Sequence, residues 1–86
     1  MKPYTEQNVD NVSIRTFTAD TDEMELIWHR DAEDRLVETV ETTDWQFQFD
    51  NALPIDMNTP IFIPKETIHR VIKGTGDLKI KVTKYL

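Results

Sequence analysis

The sequence predicts an all-β domain, a small barrel or sandwich of about seven short strands. Three observations predict it. Ile61 to Val82 holds three candidate strands: Ile61-Phe62-Ile63 stopped by Pro64, then His69-Arg70-Val71-Ile72, then Leu78 to Val82 after Gly74 and Gly76. Trp45-Gln46-Phe47-Gln48-Phe49 alternates aromatic and polar residues, the period of a half-buried strand. No segment repeats apolar residues at i, i+3 and i+4 over three turns, so no helix competes.

Composition narrows the function classes. The 86 residues make one domain with a small core, which an oligomer interface would help to stabilise. A net charge of −6 argues against a nucleic-acid binder that relies on phosphate contacts. The absence of cysteine removes disulfides, thiolate nucleophiles and zinc–thiolate sites. The opening MKPYTEQNVD lacks the apolar segment of a secretory signal, and no run is long enough to span a bilayer. The expectation is a soluble, cytoplasmic protein with no nucleic-acid or membrane partner. No Gly-rich phosphate loop or zinc spacing is present.

Residues 1–11 are polar, with Pro3, Asn8 and Asn11, and read as a flexible arm ahead of a domain over residues 12–86. Val12 to Phe17 alternates and is the first strand. Met24 to His29 is the second. It would carry Met24, Leu26 and Trp28 on one face and Glu25, Ile27, His29 and Asp31 on the other. Asp31 to Asp34 is a charged turn. Arg35 to Val40 is the third strand, with Arg35, Val37 and Thr39 sharing a face. Trp45, Phe47 and Phe49 point into the core, and Trp45 and Phe47 are the rings best placed to line a ligand pocket. Asp50 to Pro60 is a loop marked by Asn51, Pro54 and Asn58. The last strand starts at Leu78, with Leu78, Ile80 and Val82 inward and its lysines outward.

The stretch from Asn58 to Lys73 resembles the second motif of the cupins. That pattern is Gly, five residues, Pro-x-Gly, two residues, His, three residues, Asn. Pro64 and His69 match in type and spacing, while Asn58, Glu66 and Lys73 stand at the Gly, Gly and Asn positions. The first cupin motif, His-x-His, three or four residues, Glu, six residues, Gly, is similar to His29-Arg30-Asp31 followed by Arg35 and, at the Gly, Thr42. The resemblance implies a single cupin-like jelly-roll barrel. It also implies a metal set reduced from three His and one Glu to His29, His69 and one carboxylate, Asp31 ahead of Asp34, with a cation, Arg35, at the Glu position. Two imidazoles and one carboxylate suit Fe, Mn, Ni, Cu or Zn. An inward Arg35 opposes a dication, or takes Asp31 for itself.

Three function classes follow. The first is a metal-dependent enzyme, a small dioxygenase or isomerase, using His29, Asp31 and His69. The second is a metal-free binder of a small anionic ligand, with Arg35 as the bidentate anchor and the two histidines as donors. The third is an interaction module. In it, His29, Asp31, Asp34, Arg35, His69 and Arg70 form an ion-pair network that pins a turn, and Met24, Leu26 and Trp28 form an outer apolar face. That face is the expected interface of a homodimer.

Overall fold

The structure is a computed structural model, and it describes residues 3–22 and 26–86. It contains strands β1 (Thr5–Val9), β2 (Val12–Phe17), β3 (Asp34–Thr39), β4 (Gln46–Phe49), β5 (Ile55–Asp56), β6 (Ile61–Ile63), β7 (His69–Ile72) and β8 (Leu78–Tyr85). All described pairings are antiparallel, in a five-stranded sheet ordered β1-β2-β8-β3-β6 and a three-stranded sheet ordered β5-β4-β7. The two sheets close over a common core as a jelly roll. No described helix is long and apolar enough to cross a membrane.

Register decides which side chains face inward. Ser13 pairs with Val82, and Arg15 with Ile80, across β2 and β8. Val37 pairs with Val82, and Arg35 with Lys84, across β3 and β8. Ser13, Val37, Ile80 and Val82 are buried, so Arg15, Arg35 and Lys84, in phase with them, also project into the barrel. The deepest side chains, Trp45, Phe47, Met57, Leu78 and Val82, join the sheets. Each contributes roughly 1.5–3 kcal/mol by burial.

Several expectations need correction. Thr5–Val9, expected within a flexible arm, is an edge strand pairing with β2 from Thr5–Thr16 to Val9–Val12. Polar residues suffice there because an inward face of Asn8 and Glu6 finds polar partners. Ser13 Oγ donates to Asn8 Oδ1 at 2.5 Å and Arg15 Nε to Glu6 Oε2 at 2.7 Å. The expected strand from Met24 to His29 is absent over its described part. Met24 lies outside the described residues. Leu26 is buried, while Ile27 and Trp28 are exposed, so no alternation holds. Only His29 pairs, through a single bridge to His69. Leu26 therefore joins the core instead of an outer face, and Trp28 lies under the Arg70 guanidinium, 4.4 Å from its ring centre. The loop from Asp50 to Pro60 contains the short β5. Lys84 faces inward, against the expectation that the last strand's lysines face out. Lys79 and Lys81 do face out.

One end of the barrel depends on Gly74. A Cβ there would lie 2.3 Å from Asp44 Oδ1 and 2.7 Å from Trp45 N. The close approach lets Asp44 accept from Thr75 N at 2.9 Å and Thr75 Oγ1 at 2.7 Å. Those bonds hold the Asp44 carboxyl below the usual carboxylate range.

Candidate functional site

His69 opens β7, between Phe49 on β4 and the bridge to His29. The bridge uses two backbone bonds, His29 N to His69 O at 3.0 Å and His69 N to His29 O at 2.9 Å. It brings the two imidazoles to a centroid distance of 4.3 Å. Each ring donates from Nδ1 to a carbonyl two residues upstream, His29 to Ile27 O at 3.0 Å and His69 to Thr67 O at 2.8 Å. In the neutral rings this leaves the proton on Nδ1 and a free lone pair on Nε2. Phe47 stacks on His69 at 5.3 Å and fixes its plane from below.

The turn that follows His29 delivers Asp31. Its backbone is clamped by the β6–β7 connection: Glu66 N donates to Asp31 O at 2.7 Å, and Lys65 N to Asp34 Oδ1 at 2.7 Å. Glu66 takes φ 62°, the left-handed conformation that suits glycine, at the position where the cupin motif has Gly. The half-buried Asp31 carboxylate divides its oxygens. Oδ1 lies 3.3 Å from Arg35 Nη1. Oδ2 is buried without a hydrogen-bond partner and lies 3.4 Å from His69 Nε2.

Arg35 sits beside this group without claiming it. Its Nε and Nη2 both donate to Glu33 Oε1, at 2.8 and 2.5 Å. Glu33 thus neutralises the cation, and the closer contacts are to Glu33.

One donor atom from each of His29, Asp31 and His69 lies within 4.8 Å of the others. Burial, the largest effect, lowers the affinity of His69 for a proton. The nearby His29 and Arg35 also lower it, while the bond to Thr67 and the charge of Asp31 raise it. A neutral His69 presents an Nε2 lone pair to the lone pairs of Asp31 Oδ2. Two acceptors face each other there, an arrangement that a cation between them would resolve. The residues fit a divalent metal: two imidazoles oriented through Nδ1, a carboxylate oxygen with no other partner, and a counter-charge for the intruding arginine.

The three donors open onto a cavity of about 530 Å³ between the sheets, whose apolar wall includes Phe47, Met57, Ile63, Val71 and Ile80. The expected residues divide. His29, Asp31 and His69 come together, and Arg35 and Phe47 line the same cavity. Trp45 does not line it; its ring packs against Phe17 and its Nε1 donates to Gly76 O at 3.1 Å. Nor do Asp34 and Arg70 join a network with the histidines. Asp34 holds Lys65 N, and Arg70 Nε donates to Gln48 Oε1 at 3.0 Å. Two residues were missed. Glu33 was readable only as one more acid in the turn. Lys84 was readable from the period of Leu78, Ile80 and Val82 carried one step further.

No protein-family profile matches the chain, and no curated protein matches it in sequence. Solved structures do match in fold. A cupin domain from Bordetella pertussis Tohama I matches with TM-score 0.62 and 15% identity, over 100% of this chain and 98% of that one. A structure from a study of the DMSP lyases RdDddP and RnDddQII matches with TM-score 0.70 and 19% identity, over 87% of this chain and 37% of that one. The FeII form of HppE matches with TM-score 0.67 and 13% identity, over 95% of this chain and 48% of that one. The chain therefore spans less than half the length of the latter two. The likeness shows the fold: the chain adopts the cupin jelly roll.

Proposed function

We propose that this cupin-fold chain binds one divalent metal through His29, Asp31 and His69 and supports metal-assisted chemistry on a small organic molecule held in the barrel. The observation that carries the reading is the 3.4 Å approach of His69 Nε2 to the partnerless Asp31 Oδ2. When bound, the metal would supply a Lewis acid with open positions for substrate. The chain's own residues do the rest. Thr67 O and Ile27 O fix the imidazoles, and Phe47 keeps the His69 ring in plane. Glu33 holds Arg35, and the apolar wall excludes bulk water and shapes the space for a small ligand. That the fold occurs in the FeII form of HppE and in DMSP lyases supports the enzymatic reading for this site.

The deciding experiment is elemental analysis of untagged protein beside His69→Ala. About one Fe, Mn, Ni or Zn per chain, lost in the variant, supports the reading. No metal after incubation with each of these ions overturns it.

We further propose that two copies meet through the outer face of the larger sheet. There Phe62 and Tyr85 are 51% and 46% exposed, with ring centroids 6.3 Å apart. An adjacent pair of exposed aromatic rings is the kind of surface that interfaces cover.

A further inference from the structure

Among the described residues three cations, Arg15, Arg35 and Lys84, face the cavity, and one of them lacks a counter-charge. Arg15 is held by Glu6 at 2.7 Å, with the Tyr4 ring over its guanidinium at 4.7 Å. Arg35 is held by Glu33 at 2.5 Å and touches Asp31 at 3.3 Å. Lys84 lines the same cavity and pairs in register with Arg35, so two like charges stand side by side on the inner face of neighbouring strands. Like charges placed so are destabilising. Among the described residues no carboxylate or other acceptor meets the Lys84 ammonium.

We infer that Lys84 anchors the carboxylate of the cavity's ligand, and that the ligand is a small organic acid with an apolar body. The inference rests on the small-molecule site proposed above and names its ligand class. A carboxylate is favoured over a phosphate because both guanidinium forks are already committed to glutamates. What remains is one ammonium, a point charge that suits a singly charged group, whereas a phosphate would call for a free fork. The wall of Met57, Ile63, Val71, Ile80 and Val82 suits the hydrocarbon remainder of the molecule. Lys84 thereby takes the anchoring role expected of Arg35.

The test is calorimetric titration of butyrate, benzoate and inorganic phosphate into the full chain, with and without Mn(II), for wild type, Lys84→Met and Lys84→Arg. Butyrate or benzoate should bind wild type. Lys84→Met should weaken that binding at least about tenfold, Lys84→Arg should largely restore it, and all three proteins should take up the same metal. Equal carboxylate affinity in Lys84→Met overturns the inference, as does binding of phosphate alone, or of no anion, to wild type. Should Lys84→Met fail to fold, Lys84→Gln takes its place under the same criteria. Carboxylate binding that depends on Lys84 in a protein that takes up no metal would uphold the inference while removing the metal centre, so the two failures are separable.

Discussion

Arg35 directs two of its donors, Nε at 2.8 Å and Nη2 at 2.5 Å, to one oxygen of Glu33, the residue two places before it. This is what lets a cation occupy the acidic position of the cupin motif. Glu33 draws the guanidinium aside, and Asp31 keeps Oδ2 for the site. Glu33→Gln removes the charge and leaves Arg35 to pair fully with Asp31. Metal affinity should fall about 10–100-fold, the range for loss of a group that orients a ligand. Competition with a chromophoric chelator measures it. Wild-type affinity in Glu33→Gln would mean that Arg35 does not compete for Asp31.

His69 makes the metal-free protein sensitive to acid. Burial lowers its proton affinity in the folded state relative to the unfolded chain. Between the depressed folded value and the usual imidazole value of about 6.5, the unfolded state binds more protons, so stability rises with pH across that window. Denaturation midpoints of metal-free protein should fall as pH drops below about 6.5, and His69→Asn should flatten that part of the profile. An unchanged profile in the variant would locate the acid sensitivity elsewhere. Added metal should steepen the wild-type dependence, since the proton and the metal compete for Nε2.

The closeness of His29, Asp31 and His69 was more legible in the sequence than the strands around them. His29, Asp31 and His69 were legible because motif spacing records which residues meet, whatever the backbone between them does. The backbone of residues 26–29 was not legible. Its apolar run Leu26-Ile27-Trp28 suits a strand, yet it pairs at His29 alone, and pairing is a property of the partner strand. β1 was hidden for the converse reason: its residues are polar, and its place comes from backbone pairing and from Glu6 and Asn8 meeting Arg15 and Ser13. Lys84 was hidden by chemistry. A lysine after an apolar face reads as the end of that face unless its phase is followed.

The outer pair Phe62 and Tyr85 gives the assembly prediction. Leu36 pairs with Phe62, and Asp34 with Tyr85, so both rings stand on the outer face of the larger sheet. Wild type should sediment as a dimer, and Phe62→Glu as a monomer, because a carboxylate in a closing apolar interface is left without a partner. A dimer of wild-type mass in Phe62→Glu would exclude this face, and a monomeric wild type would exclude the assembly.

Glu66 supplies the last prediction, because it tests the clamp beneath the site without touching a donor. Its φ of 62° costs a residue with a Cβ roughly 1–2 kcal/mol, and glycine avoids that cost while losing more chain entropy on folding. Its side chain offers little in return, since the ion pair with Arg30 is long, at 3.6 Å, and solvent-exposed on both sides. The group that matters is the amide, which donates to Asp31 O at 2.7 Å and is kept by any residue except proline. Glu66→Gly should therefore stabilise the protein by about 0.5–1 kcal/mol in chemical denaturation, with metal affinity unchanged or tighter. Glu66→Ala, which keeps the Cβ and loses only the exposed ion pair, should stay within about 0.5 kcal/mol of wild type. A loss of stability in Glu66→Gly beyond that of Glu66→Ala would show that the left-handed turn carries no strain. The glycine of the motif would then be dispensable here for a reason other than tolerance at Glu66.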